Sequence, residues 1–139
     1  MHAQRAYVAR LQRIEVDREL CFLNRQDEPS IDEQADIYAE VLNAFADGDR
    51  YVVVRTLDAG SDKPVAFATH DGEENPALGV RGLRLSFDNP GLLDHQIDGI
   101  ALAAQRTGTP TWVMAPMVAT VAEAREFATR VRAHGLKAG

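Results

Sequence analysis

The sequence of 139 residues has little of what several classes of protein require. Its single cysteine, Cys21, excludes an internal disulfide framework and, between apolar neighbours, predicts a buried thiol rather than a nucleophile. No apolar run approaches the roughly 18 residues of a membrane-spanning helix, and no hydrophobic region follows the first basic residues, as a secretory signal requires. A net charge of −6 also argues against a nucleic-acid-binding surface. These absences predict a cytoplasmic protein with no nucleic-acid partner and no membrane insertion.

Apolar residues make up 45% of the sequence, which is enough for the core of one domain. Two short runs, residues 51–57 and 112–117, have apolar side chains at consecutive positions. Strands of this kind are covered on both faces, as in a parallel sheet flanked by helices. The sequence therefore predicts an α/β fold, with Met114 and Met117 at the end of the second strand in the core.

Three helices are predicted from their starting residues. Ser30 with Glu33, and Thr120 with Glu123, have the spacing of a capping box, and Pro90 is typical of a first helical position. An apolar stripe with helical spacing follows each start. The predicted order is helix, strand, helix, strand, helix, and the chain ends where a third strand is expected to begin.

Arginine side chains mark the carboxyl end of the first strand and the loop beyond it. Arg55 interrupts the apolar run at the end of a strand where α/β folds place their sites. Its guanidinium would bind a carboxylate or phosphate at two points, or, with equal weight, would pair structurally with Asp58 or with a carboxylate of the loop. Helical spacing restarts at Pro76 and predicts Arg81 and Arg84 on one helical face, where one of the two would point back to the site and Arg84, by default, would be solvated.

The remaining polar groups of this loop admit a functional and a structural interpretation. Lys63 would add a cation to an anion site, although its loop lacks the glycine spacing of a P-loop. Glu73 and Glu74 have the composition of a metal-binding or acid–base pair. The interpretation we favour for them is a helix entry, with the acidic groups near the helix N-terminus.

Two segments resemble a known family: RTLDAGSDKP (residues 55–64) and EENPALGVRGLR (residues 73–84). They are similar to the phosphoenolpyruvate-binding domain of the phosphoenolpyruvate–protein phosphotransferases, the Enzyme I family of the bacterial sugar phosphotransferase system. The resemblance implies a partial (β/α)8 TIM barrel over residues 19–139, with about three of the eight βα units. Residues 1–18 form a divergent N-terminal segment that we predict to be helical.

The resemblance also implies a chemistry. The family transfers phosphate from phosphoenolpyruvate to an enzyme histidine, and then to a histidine-containing phosphocarrier protein, with Mg2+. Arg55 and Arg81 match family arginines that bind the substrate phosphate, and Lys63 and Arg18 are further candidates. Arg18 lies one position from the family's arginine, and such a shift in a strand reverses the face of the side chain. The family's Mg2+ ligands, catalytic cysteine and phosphorylated histidine have no counterpart here, so no catalytic or metal-binding residue is assigned.

We therefore expect a fragment that carries part of a phosphoenolpyruvate pocket and that does not turn over by itself. One alternative is a non-catalytic module for interaction or homodimerisation, and another is a truncated, inactive gene product. An unclosed barrel favours association because it leaves sheet edges and apolar faces bare.

Overall fold

A computed structural model describes residues 21–22, 25–47, 50–62, 64–69 and 72–139. Its helices and strands, in chain order, are α1 (Ile31–Leu42), β1 (Val52–Arg55), α2 (Leu85–Asp88), α3 (Pro90–Thr107), β2 (Thr111–Met114), α4 (Val121–Ala133) and β3 (Lys137–Ala138). The predicted order of three helices and two strands is confirmed, and the short α2 and β3 add to it. No helix in this described part of the chain is long and apolar enough to cross a membrane.

The described strands form a parallel sheet in the order β1-β2-β3. Arg55 at the end of β1 lies opposite Met114 of β2, and Trp112 lies opposite Lys137 of β3. Helices α3 and α4 make the two crossovers that parallel neighbours require. The third strand expected to begin at the last residues is present there, because Lys137 and Ala138 pair with β2.

Both predicted capping boxes are present. The N–H of Glu33 donates to Ser30 Oγ at 3.3 Å, and the N–H of Ser30 donates back to the Glu33 carboxylate at 2.9 Å. Thr120 and Glu123 repeat this exchange at 3.2 and 2.8 Å. The hydrogen bond from the Ser30 backbone is the main cause that lowers the pKa of Glu33 below its ordinary value. These local contacts fix where α1 and α4 begin.

The core lies on one face of the sheet. Val52, Val54 and Val113 are buried, whereas the alternate residues Val53 and Trp112 are partly exposed. The prediction that helices cover both faces therefore holds for one face within the described ranges. The largest fully buried apolar side chains of the helices are Tyr38, Leu42, Leu85, Ile97, Ile100 and Val131.

Helices α1 and α3 pack closely against each other at Gly99. A Cβ atom on Gly99 would lie 2.9 Å from Gln34 Cβ, so a residue larger than glycine does not fit here unless the helices shift. The prediction that Met117 belongs to the core is wrong, since its side chain is exposed and its φ of 60° turns the chain away from β2. Met114, at the end of the strand, is partly buried as an alternate residue of the sheet.

Candidate functional site

Arg55 and Arg81 converge on one buried carboxylate, that of Asp58. Arg55 Nη2 donates to Asp58 Oδ2 at 2.6 Å, while Arg81 Nε donates to Oδ1 at 3.0 Å. The side chain of Asp58 is 4% exposed, and those of Arg55 and Arg81 are 22% and 12% exposed. The hydrogen bond to Asp58 is the main cause that raises the pKa of Arg81 above its ordinary value. Two guanidinium groups and a carboxylate thus form one fixed cluster at the carboxyl end of β1.

The position of Asp58 is set by the two residues before it. The N–H of Thr56 still donates to the Met114 carbonyl of β2 at 2.9 Å, so the chain remains in the sheet at this point. The next N–H, that of Leu57, leaves the sheet and donates to Gln96 Oε1 of α3 at 2.9 Å. Strand β2 and helix α3 together therefore fix the position of the Asp58 carboxylate.

Gln96 is itself held by a buried chain of polar groups. Its Nε2 donates to the Tyr38 hydroxyl at 2.7 Å, and that hydroxyl is hydrogen-bonded to the thiol of Cys21. Burial raises the pKa of Cys21 to about 11 and that of Tyr38 well above its ordinary value. The prediction that Cys21 is a buried thiol is confirmed, and this thiol ends a network that begins at the site.

We expect Cys21 to make the fold less stable at alkaline pH. The folded protein keeps the thiol proton up to about pH 11, whereas the unfolded chain loses it near its ordinary pKa of 9.0. The folded state then binds more protons than the unfolded state, so the free energy of unfolding falls as pH rises from 9.0 to about 11. Urea unfolding across this range measures the slope. Cys21→Ser, which does not titrate there, should show a smaller slope, and an equal slope would contradict the assignment.

Arg81 and Arg84 do not share a helical face, contrary to the prediction from their spacing. Arg81 is extended, with φ of −146° and ψ of 150°. Gly82 follows with φ of +58°, a left-handed conformation that favours glycine, and turns the chain between the two arginines. Arg84 is not simply solvated, since its guanidinium donates to the carbonyls of Ala77 and Leu78 at 2.9 and 2.8 Å. Arg81 therefore points into the cluster, and Arg84 fastens the loop.

Two further carboxylates order the loop between β1 and Arg81. Asp62 Oδ2 accepts from Arg81 Nη1 at 2.9 Å. The Glu73 carboxylate accepts from the N–H of Val80 at 2.8 Å and from the hydroxyl of Ser61 at 3.4 Å. Glu73 therefore fastens the loop structurally and does not pair with Glu74. The predicted helix from Pro76 is wrong, because these contacts form turns there.

The described residues do not fit a Mg2+ site. No group of three His, Cys, Asp or Glu side chains in the described part of the chain could hold a metal ion. Both oxygens of Asp58, the most buried carboxylate of the cluster, accept hydrogen bonds from guanidinium groups. Lys63 and Arg18, the other predicted substrate ligands, and the segment 1–18 lie outside the described residues.

Two residues of this arrangement were not assigned a functional role from the sequence. The sequence predicts Asp58 as a candidate partner of Arg55, three positions away, but gives no sign that it also pairs with Arg81 across the loop. Gln96 is a polar residue inside the apolar stripe of α3, and it is 1% exposed. A buried polar side chain must find hydrogen-bond partners, so this interruption of the stripe was the available signal.

Comparison with known proteins agrees with the two sequence motifs. The family described as PEP-utilising enzyme, PEP-binding domain, matches residues 4–137. A phosphoenolpyruvate-protein phosphotransferase of Streptomyces coelicolor is 51% identical over 112 residues, which are 79% of this chain and 19% of that protein. The corresponding protein of Haloferax volcanii is 46% identical over 109 residues, 77% of this chain and 19% of that protein.

A third relative has a different name. A multiphosphoryl transfer protein of Xanthomonas campestris is 42% identical over 118 residues, which are 83% of this chain and 14% of that protein. The chain therefore spans 19% or less of the length of these three curated relatives. These findings confirm the resemblance that the motifs around Arg55 and Arg81 indicated.

Proposed function

Because this chain belongs to the PEP-binding domain family of PEP-utilising enzymes, we propose that Arg55 and Arg81 bind the phosphate of phosphoenolpyruvate. The observation that carries the proposal is the convergence of both guanidinium groups on Asp58 at the carboxyl end of β1. Ligands of open α/β sheets bind at this end of the strands. Guanidinium groups in a fixed orientation also match the geometry of phosphate oxygens.

The wider activity that fits this site is that of a phosphoenolpyruvate–protein phosphotransferase. Such an enzyme passes phosphate from phosphoenolpyruvate to its own histidine and then to a histidine-containing carrier in sugar uptake, in the cytoplasm. Arg55 and Arg81 would neutralise charge on the transferring phosphoryl group and hold it in line. We propose that Lys63 and Arg18 also bind the substrate phosphate. We further propose that the parallel sheet forms part of a (β/α)8 barrel. A role for Mg2+ is proposed from the family resemblance alone.

A second candidate function is that of a non-catalytic module that forms a homodimer. The observation that favours it is an aromatic surface beside the sheet, where Tyr51 is 61% exposed and its ring lies 5.6 Å from that of Trp112. Exposed apolar surface of this kind is typical of contact sites when it is extensive. A discrete dimer in sedimentation that does not bind phosphoenolpyruvate would favour this candidate over the first.

We expect Arg55→Lys and Arg81→Lys each to weaken phosphoenolpyruvate binding about tenfold, the lower end of what a hydrogen bond to a charged group contributes. Lysine keeps the charge against Asp58 but loses the planar fork, so the fold should survive while two-point binding is lost. NMR titration of the 139-residue chain measures the dissociation constant, even when it is millimolar. Pyruvate, which lacks the phosphate, should not compete.

Arg106→Lys is the matched control for these variants. Arg106 also lies between two carboxylates, those of Asp32 and Asp36, at 3.0 and 2.7 Å. It joins α3 to α1, and its own partners lie on α1 rather than at the carboxyl end of β1. Binding should be unchanged by Arg106→Lys. Equal losses in all three variants, or no binding by the wild-type chain, would contradict the proposal.

A further inference from the structure

The two aspartates that contact Arg81 differ in burial. Asp58 is 4% exposed and lies between both arginines, whereas Asp62 is 41% exposed and, of the two arginines, contacts Arg81, through Nη1 at 2.9 Å. The formal charges of Arg55, Arg81, Asp58 and Asp62 add to zero. An anion that binds to the arginines thus competes with carboxylates that already accept from Arg55 Nη2 and from Arg81 Nε and Nη1.

We infer that Asp62 is an internal competitor for the anion, held on Arg81 Nη1 in the free protein and displaced when the anion binds. The inference rests on the proposed function and adds a residue that sets its affinity. Phosphate and carboxylate oxygens both accept hydrogen bonds, so they cannot share one N–H donor without repulsion. Arg81 Nε faces Asp58 and Nη1 faces Asp62, which makes Nη1 the donor that exchanges partners.

Exposure decides which aspartate leaves. Moving Asp58 would strand a buried charge between two guanidinium groups, and that is costly. Moving Asp62 returns a half-exposed carboxylate to water at the cost of one surface ion pair, whose contribution is small. Asp58 therefore stays in place and keeps Arg55 and Arg81 oriented while Asp62 moves.

The backbone at Gly60 allows the close approach of Asp62 to Arg81. A Cβ atom on Gly60 would lie 3.2 Å from Arg81 Cγ, which is tight, and 3.4 Å from Asp62 Oδ1, which is an ordinary contact. Gly60 is buried, with Arg81 against it and Asp62 two positions along the chain. The backbone of the loop therefore holds Asp62 and Arg81 close together, so their contact does not rely on two flexible side chains alone.

The test is the affinity of Asp62 variants for phosphoenolpyruvate and, separately, for inorganic phosphate, measured by NMR titration in Mg2+-free buffer. Asp62→Ala should bind both anions roughly two- to fivefold more tightly, the factor that corresponds to one exposed ion pair. Asp62→Glu, which keeps a carboxylate near Arg81, should bind close to the wild-type value. The melting temperature of Asp62→Ala should stay near that of wild type, which separates competition from a structural role.

Glu74→Gln controls for the general effect of removing a negative charge. Glu74 is an exposed carboxylate of the same loop and is not a partner of Arg81 among the described residues. A gain in affinity for Asp62→Ala that exceeds the gain for Glu74→Gln supports the inference. Equal gains, or unchanged or weaker binding by Asp62→Ala, overturn it while leaving the proposed function intact. No binding of phosphoenolpyruvate by the wild-type chain overturns both.

Discussion

Asp58→Asn is expected to lower the free energy of unfolding by about 3–5 kcal/mol, the cost typical of removing one partner from a buried ion pair. The wild-type carboxylate offers two oxygens: Oδ1 accepts from Arg81, and Oδ2 accepts from Arg55 and, at 3.5 Å, from Arg81 as well. Asparagine has a similar shape but one acceptor oxygen, and its NH2 group would face a donor. Both arginines, which are 22% and 12% exposed, then lose their buried counter-charge.

Urea unfolding of the two isosteric variants Asp58→Asn and Asp62→Asn measures this difference. Because Asp62 is 41% exposed, Asp62→Asn should change the free energy of unfolding by less than about 1 kcal/mol. Single domains are stable by about 5–15 kcal/mol, so Asp58→Asn would remove a large part of the total. If that variant does not fold, Asp58→Glu retains the charge and gives a measurable intermediate. Equal small losses at positions 58 and 62 would show that the cluster does not stabilise the fold.

The parts of the fold that were predicted correctly are those specified by neighbours in sequence. Ser30 and Glu33 are three residues apart, and their two hydrogen bonds fix the start of α1 regardless of what surrounds them. The same is true of Thr120 and Glu123 at the start of α4. The strands were recognisable because short apolar runs rich in β-branched residues are typical of buried strands, although helices cover only one face of the sheet in the described ranges.

The site could be predicted only in part, because its contacts join distant residues. Arg55 and Asp58 lie three positions apart, and the sequence includes their pairing among its predictions. Arg81 reaches the same carboxylate across 23 positions. Its direction depends on the left-handed conformation of Gly82, whereas apolar spacing alone indicated a helix. The family motif, not the periodicity, is what distinguished Arg81 from Arg84.

Gln96→Leu is expected to lower the free energy of unfolding by about 2–4 kcal/mol and to weaken binding at the site. Leucine has a similar volume but no polar atom, so the buried N–H of Leu57 loses its acceptor and the hydroxyl of Tyr38 loses a donor. The Leu57 N–H, left without its acceptor, costs about 1–3 kcal/mol, whereas the Tyr38 hydroxyl keeps its bond to Cys21 and adds less. The Leu57 N–H lies directly before Asp58, so its loss should also loosen the carboxylate that orients Arg81.

Tyr38→Phe separates the effect of the bond between Gln96 and Tyr38 from that of the bond between Gln96 and the Leu57 N–H. It removes the hydroxyl at 2.7 Å from Gln96 Nε2 but keeps the bond from the Leu57 N–H to Gln96 Oε1. It should therefore cost about 1–3 kcal/mol, as expected for one unpaired buried group, and leave anion binding near the wild-type value. In Gln96→Leu, the Leu57 amide should also exchange its hydrogen faster than in Tyr38→Phe. If the two variants lose equal stability and show the same anion affinity and Leu57 exchange, Gln96 acts through Tyr38 alone. In that case the hydrogen bond from the Thr56 N–H to strand β2 is sufficient to position Asp58. Helix α3 then packs against the sheet without determining the orientation of the carboxylate.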